Sequence, residues 1–489
     1  VRASAVIARP FREIGAQPCA GSVRQFLPWL VAVSLFMENL DATIVNTAVP
    51  AMSAALQVAP LSLKGVLTSY TLSLAVFIPV SGWMADRFGT RRVFAAAVSI
   101  FSIGSLLCGL SVNVPMLVAS RILQGIGGAM MTPVGRIALV RSFPRSELMA
   151  VMQFVVIPAL IGPLLGPVTG GLIVHWLPWR TIFLVNLPFG LVGLWMVRCY
   201  MPDFRDPESP PLDRLGFVLF GAGIGTLSYV LEVFGEHNLS LTPIVLLTIL
   251  SIVLLAAYGW HSRKVTAPLL RLALLRIRTF RVSVFGGFIT RLGFGGMPFL
   301  LPLLYQLGMG FPAWKAGLLT MPQALAAMGM KVIGRKLLAQ FGHRTVLIAN
   351  TVAVGGAIGL FTFIGRDTPI WCIVPVSFLM GFLSSLQFTS MNTLVYADVD
   401  DHEASHAGSI ASTAQQMSLS FGVAFAALLV AWYLGGMDQT LAAQTIPALH
   451  KAFLTMGVLT IVSSAVFATL RSTDGNNVSN RVVRVVHAR

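Results

Sequence analysis

The sequence predicts an all-α polytopic membrane protein with fourteen transmembrane helices. Three observations predict it. Apolar residues make up 56% of the 489-residue chain and charged residues only 11%, with a mean hydropathy of +0.80; soluble domains carry about 25% charged residues. Apolar runs close to the ~20 residues that span a bilayer recur along the whole chain. The Lys and Arg residues between those runs concentrate in alternate gaps, as in a chain threaded back and forth through a membrane. A net charge of +16 can signal nucleic-acid binding in a soluble chain. Here the short gaps between spans account for it, and no nucleic-acid partner is expected.

The basic tail, residues 1–26, carries Arg2, Arg9, Arg12 and Arg24. It lacks the apolar core of a cleaved signal peptide and reads as a disordered cytoplasmic end. Six spans follow within 27–200: helices 1 (27–50), 2 (64–84), 3 (92–111), 4 (114–137), 5 (148–174) and 6 (181–199). The segment "MPDFRDPESPPLDR" (201–214), rich in Pro and charge, ends this half, with the loop itself at 201–213. Helices 7 (214–234) and 8 (241–260) then form an inserted pair, 214–260. The basic stretch "HSRKVTAPLLRLALLRIRTF" (261–280) separates them from a second six-helix half, 281–471. That half holds helices 9 (281–305), 10 (316–338), 11 (345–365), 12 (369–395), 13 (408–434) and 14 (450–470), with a tail at 472–489.

With the N-terminus inside, 26 of the 34 Lys and Arg residues fall on the inner side. Only Lys64, Arg180, Lys315, Arg366 and Lys451 fall outside, and Arg121, Arg291 and Lys331 lie within spans. The bias places both termini in the cytoplasm and the chain in the cell (inner) membrane. Cys19, Cys108, Cys199 and Cys372 show neither pairing nor metal spacing and are expected as free thiols.

Charges inside the bilayer are costly and default to function. Glu38, Asp41, Arg121, Glu232 and Arg291 are the candidates. At 1.5 Å per residue, Asp41 in helix 1 and Arg121 in the antiparallel helix 4 both lie roughly 20 Å above the inner edge of an about 30 Å core. They can therefore pair and offset each other's desolvation. Glu38 and Asp41 are three apart, so their side chains are neighbours on one helix. Two carboxylates at one buried site resist joint ionisation. With Arg121 opposing that effect, the helix 1 acids are expected to carry a coupling proton; a structural ion pair is the plainer alternative. Arg291 and Gln124 are candidates for the substrate path. Glu232 falls near the outer end of helix 7, within reach of headgroups. Lys331 is expected to snorkel to the inner surface.

Three motifs stand at helix junctions. "GWMADRFGTRR" (82–92) supplies Gly82 and Gly89 for a tight turn. Its Asp86, with Arg87, Arg91 and Arg92, can form a charge latch between helix ends. "RILQGIGGAMMTP" (121–133) places Gly125, Gly128 and Ala129 where helices can approach closely. "GPLLGPVTGG" (162–171) spaces Gly162, Gly166 and Gly170 four apart, a small-residue contact stripe, beside Gly171 and the helix-bending Pro163 and Pro167. These stretches resemble the major facilitator superfamily. The first is similar to its loop 2–3 signature, with Thr90 where a basic residue is common. The second is similar to its helix 4 motif, whose Arg is linked to proton coupling, and the third to its helix 5 antiporter motif. "LDATIVNTAVP" (40–50) and "WRTIFLVNLPFG" (179–190) resemble the fourteen-span drug:proton antiporter branch.

The resemblance implies two halves rocking about a midplane site, with helices 7 and 8 inserted between them. It implies export of small apolar or cationic compounds, with the proton as coupling ion and no other cofactor. The expected partners are the small-molecule substrate and membrane lipid; related exporters also work with periplasmic adaptors, for which no residue here argues. In "GRKLLAQFGHR" (334–344), Ala339 and Gln340 stand where Asp86 and Arg87 do in the first latch. The second latch is expected to be weak, or to use Arg335, Lys336 and Arg344 alone.

Two further readings stay open. One is a proton-coupled exporter of a single endogenous metabolite. The other is a membrane metallohydrolase, since "HEASH" (402–406) is an H-E-x-x-H sequence. The metal reading is disfavoured. His402, Glu403 and His406 fall in the link between helices 12 and 13, and the neighbouring Asp398, Asp400 and Asp401 suit a helix start better than a zinc site. No metal and no catalytic residue is expected. No Walker-type sequence points to ATP hydrolysis.

Overall fold

Fourteen helices of the computed structural model are long and apolar enough to cross a membrane. The structure describes residues 12–13, 20–206, 210–233, 241–435 and 442–479. The N-terminal group comprises helix 1 (Ala20–Leu56), helix 2 (Lys64–Phe88), helix 3 (Thr90–Leu110), helix 4 (Val114–Ser142), helix 5 (Arg145–Trp176) and helix 6 (Thr181–Tyr200). Helices 7 (Arg214–Val233) and 8 (Leu241–His261) follow. The C-terminal group comprises helix 9 (Arg278–Gly308), helix 10 (Ala313–Phe341), helix 11 (His343–Phe363), helix 12 (Ile370–Leu394), helix 13 (Ala404–Leu434) and helix 14 (Ala442–Ala468).

Most helices overrun the apolar runs that mark them. Hydropathy detects only the oily middle, whereas the hydrogen-bonded backbone continues into polar ends. The largest shifts are at helix 14, which starts at Ala442, and helix 1, which starts at Ala20. Ala is the best helix former, and two alanines open helix 14. The N-terminal tail also departs from a wholly disordered end. Its strand β1 (Arg12–Glu13) pairs antiparallel with β2 (Phe204–Arg205). The rest of the tail up to residue 19, Cys19 included, and the side chain of Glu232 lie outside the described residues. Cys108, Cys199 and Cys372 are free.

Packing divides along the chain in a repeating way. In the first group, helix 1 lies along helix 5, helix 2 along helix 4, and helix 3 along helices 4 and 6. In the second, helix 9 lies along helix 13, helix 10 along helix 12, and helix 11 along helices 12 and 14. The groups meet along two corresponding seams, helix 5 against helix 10 and helix 2 against helix 13. Helices 7 and 8 pair with each other, and Ser251 donates to the Gly223 carbonyl at 2.8 Å. Helix 7 also touches helices 2 and 13.

The seams close mainly at the end away from the basic loops. There one apolar core joins both groups, from Val45, Val49 and Met52 of helix 1 to Leu300, Leu304 and Tyr305 of helix 9. Gln306 donates to the Thr47 carbonyl across it at 2.9 Å. At the basic end each group has a core of its own, around Phe94 and Phe101 in one and Leu347 and Phe467 in the other, and a smaller core around Phe220, Tyr258 and Ile410 bridges Leu72 and Val76 of helix 2 to helices 7 and 13. Small residues make the closed end possible. A side chain on Gly171 would meet the backbone of Ala313 and Trp314, and one on Gly317 would meet the backbone of Pro167 and Val168. The antiporter-like stripe itself, Gly162, Gly166 and Gly170, faces helix 1 at Asn39, Thr43 and Ile44. Helix 5 runs unbroken over Pro158, Pro163 and Pro167.

Charges brace the basic end. Asp213, whose side chain is 4% exposed, accepts from the Gly216 amide at 2.8 Å and the Leu269 amide at 3.3 Å and contacts His261 Nε2 at 2.7 Å. It thereby ties helices 7 and 8 to the loop that leads into helix 9. Arg278 pairs with Asp474 at 2.6 Å, and Asn477 donates to the Ala397 carbonyl. The start of the C-terminal tail is thus held against helix 9 and the link after helix 12; residues 480–489 lie outside the described residues.

Two outcomes follow from this packing. Gly317→Val forces a branched side chain into helix 5 backbone, so it should cost about 1–3 kcal/mol, read as a lower thermal midpoint of the detergent-purified protein. Asp213 gives a pH dependence. Burial raises its carboxyl, but the His261 bond and the two amides outweigh this and hold it below the usual carboxylate range. Its stabilisation is therefore complete above about pH 4, the unfolded value, and is lost as pH falls through the lower folded value. The midpoint difference between wild type and Asp213→Asn should be present at neutral pH and shrink below about pH 4; a difference that grows on acidification would contradict this.

Candidate functional site

Asp41 is wholly enclosed in the N-terminal group, with three polar side chains bonded to it. Helix 1 points it toward helix 4, where Arg121 donates from Nη1 to Asp41 Oδ2 at 2.6 Å. One turn along helix 4, Gln124 donates from Nε2 to Oδ1 at 2.8 Å. Asn186, at the start of the longer part of helix 6, donates to the same oxygen at 2.7 Å and lies 3.0 Å from Ser105 Oγ of helix 3. Arg121, 1% exposed, is itself used up: Nε donates to the Val66 carbonyl at 3.2 Å and Nη1 to Gln124 Oε1 at 2.7 Å. Its guanidinium carbon lies 4.2 Å from the Tyr70 ring centroid. Helices 4 and 6 converge on one carboxylate of helix 1, helix 3 supports Asn186 through Ser105, and helix 2 covers the cation.

Close backbone approach makes this possible. Gly104 of helix 3 lies against the backbone of Gln124, and a side chain there would come within 2.7 Å of Gln124 Cα. Gly125 presses on helix 2 at Tyr70 and Ser73 in the same way, and Gly128 faces the Tyr70 hydroxyl.

The structure thus brings Asp41, Arg121 and Gln124 together, Gln124 serving as an internal partner of the ion pair. It does not bring Glu38 into that group. Glu38 is half-buried and accepts from Thr132 Oγ1 at 2.5 Å. Three residues along a helix leave two side chains only about 60° apart, so the acids stay neighbours beside Tyr70 while taking different hydrogen-bond partners. Asn186, Ser105 and Tyr70 were missed. The signal for Asn186 was present, a lone amide in the apolar run "FLVNLPFG", but nothing in one dimension aims it at Asp41.

A family model described as Major Facilitator Superfamily matches residues 31–423. The chain belongs to that superfamily. It is 40% identical over 453 residues to the "Putative multidrug resistance protein MdtD" of Enterobacter sp. (strain 638), spanning 92% of this chain and 95% of that protein. The protein of the same name from Pectobacterium atrosepticum is 41% identical over 428 residues, 87% and 90% of the two chains. A crystal structure of a D-xylose-proton symporter aligns with a TM-score of 0.64 at 14% identity, covering 92% of this chain and 99% of that one. A bacterial homolog of the human lysosomal transporter Spinster gives the same TM-score at 14% identity, covering 93% and 97%. At that identity the two solved structures speak for the fold alone. This protein is a multi-pass major facilitator transporter.

The loop 2–3 motif of this facilitator forms different contacts from those expected. Asp86 pairs with Arg141 at the end of helix 4, at 2.8 Å, rather than with Arg87, Arg91 or Arg92. Arg87 and Arg92 are exposed and form no ion pair with the described residues. Successive helix positions are rotated by about 100°, so Arg87 follows Asp86 away from helix 4. Gly82 lies inside helix 2 with open space beside it and makes no turn. Gly89 alone does, at φ +97°, with Asp203 and Arg205 packed over it. Thr90, in the position where a base is common, is buried. It donates to the Pro202 carbonyl at 2.9 Å and accepts from the Phe204 amide at 3.0 Å. The Arg91 amide donates to Asp203 Oδ1 at 3.2 Å and its guanidinium to the Arg198 carbonyl. The latch therefore also clasps the segment after helix 6.

The second latch region keeps its turn at Gly342, φ +76°, and Arg344 donates to the Ala468 carbonyl at 3.4 Å. Lys331 is exposed on helix 10. His402 and Glu403 stand in a single 3-10 turn and His406 in the first turn of helix 13, with Glu403 3.4 Å from Arg271. Among the described residues no three His, Cys, Asp or Glu side chains gather as a metal site. Arg291, 4% exposed, stands in the last turn of helix 9 before a break at Gly295 and Gly296, under the Phe388 ring at 4.8 Å.

The Asp86–Arg141 pair ties together the basic ends of helices 2 and 4, the contact that a switching role for this motif would use. Asp86→Asn should slow turnover severalfold while leaving substrate affinity unchanged. Parallel flux and binding measurements check this, and full turnover in the variant would remove Asp86 from a switching role.

Proposed function

We propose that this transporter exports small apolar or cationic compounds from the cytoplasm in exchange for protons. The observation that carries the reading is the enclosed network of Asp41 with Arg121, Gln124 and Asn186. As a carboxylate, Asp41 gives these three donors a charged acceptor, and hydrogen bonds to charged groups are the strong ones. A proton on Asp41 removes that charge and loosens helix 1 from helices 4 and 6. Helix 1 also carries the face that Gly162, Gly166 and Gly170 of helix 5 press against. A change at Asp41 thus bears directly on helix 5, and through it on the seam with helix 10.

The cationic loops argue that the basic end is cytoplasmic, in the inner membrane, with both termini inside. Closure at the opposite end then makes this the inward-facing state. Proton entry from outside is driven by the gradient and by the membrane potential, worth about 2.3 kcal/mol per charge per 100 mV. The names of the MdtD relatives favour multidrug export over a single metabolite.

Ethidium efflux from energised cells tests the reading, in wild type and Asp41→Asn, with and without an uncoupler. Wild-type efflux should collapse with the uncoupler, and Asp41→Asn should show only that collapsed rate in both conditions. Unchanged uncoupler-sensitive efflux in the variant would remove Asp41 from the coupling role.

A further inference from the structure

Among the described residues two arginines are buried inside the helical bundle, Arg121 and Arg291, and they are treated differently. Arg121 is met by a carboxylate, an amide oxygen and a backbone carbonyl. Arg291 has no carboxylate within 4.0 Å, and no hydrogen bond is formed by its side chain among the described residues. Its Nε is sealed from solvent without an acceptor, while its terminal nitrogens are not sealed. The small accessible surface of the residue therefore includes its charged end.

No protein acid is placed to answer it. Helices 9 to 14 contain no Asp or Glu at all. The Phe388 ring supplies a cation–π contact, but such a contact offsets only a small part of what it costs to desolvate a guanidinium. The end of a half-helix adds a weak favourable dipole. The surroundings are built to admit the charge nonetheless. Gly287 leaves the space beside Nη1, where a side chain would come within 2.8 Å, and Met391 borders the same space. Phe294 stacks edge-on against Phe388 at 5.4 Å. Arg291 also lies at the interruption of helix 9, and broken helices are where transporters of several folds build their binding sites.

We propose that Arg291 is the contact for an anionic group on the transported molecule, a carboxylate or similar oxyanion whose apolar or aromatic body lies against Phe388. The proposal rests on the export reading above and adds to it a substrate class that a cation exporter would not take. The guanidinium presents two terminal nitrogens in a fork that matches an oxyanion. The partly accessible Phe388 gives the rest of the molecule an apolar wall.

Matched probes test it on the full-length protein in lipid nanodiscs, with empty discs as the background. Naphthalene-2-carboxylate and naphthalene-2-carboxamide share one apolar body and differ in charge. Wild type should bind the acid at least about tenfold more tightly than the amide, the scale of a charged hydrogen bond. Arg291→Gln should abolish the preference and Arg291→Lys should keep part of it. Equal binding of acid and amide by wild type overturns the proposal even if neither variant folds. A preference that survives Arg291→Gln overturns it as well, as does one that Glu38→Gln removes and Arg291→Gln does not. Failure here is separable from failure of the export reading. Uncoupler-sensitive ethidium efflux can persist while acid and amide bind alike, and the acid preference can hold in a protein whose efflux ignores the uncoupler.

Discussion

The cost of burying charge governs this bundle. A carboxylate enclosed among helices is tolerable only if its charge is met and its lone pairs are used. Asp41 satisfies both conditions through Arg121, Gln124 and Asn186, and Arg121 in turn is satisfied by Val66, Gln124 and Tyr70. Removing any one partner leaves another unsatisfied. The register of helices 1, 3, 4 and 6 is tied to that requirement, since a slide of one turn, about 5.4 Å, would take a partner out of reach. The C-terminal group has no such device. Its buried cation is met by an aromatic ring alone, so the two groups are alike in packing and unlike in electrostatics.

Close approach is the second constraint. In lipid, helices gain little from burying apolar side chains against one another and depend on fit and on interhelical hydrogen bonds. Glycine therefore marks where backbones touch, at helix 5 against helix 1 and at helix 5 against helix 10. The first contact lies within a group and the second between groups. One helix thereby carries both the packing surface of the acid-bearing helix and the seam between the halves. The large shared core at one end and the mostly separate cores at the other show where that seam is chiefly engaged.

Much of this was legible beforehand because it depends on one coordinate, height through the membrane. Hydropathy located the spans and the alternation of basic loops ordered them. The rise per residue put Asp41 and Arg121 at one level, and they meet at 2.6 Å. What failed depends on direction around each helix. Glu38 takes Thr132 instead of joining Asp41, Asp86 takes Arg141 instead of the arginines beside it in sequence, and Gly82 turns nothing. Asn186 and Tyr70 were passed over for the same reason: a polar residue in an apolar run shows its depth but not its facing.

The sequence by itself determined that this chain is a bundle of fourteen membrane helices, because apolar length and loop charge are local properties of the chain, and its junction motifs carried the resemblance to the facilitator family. It also determined that a few charges must be reconciled inside that bundle. Only the tertiary structure decided which groups reconcile them. That choice requires four helices distant in sequence to present particular faces to one another, and the azimuth of a helix is set by its neighbours, not by its own residues.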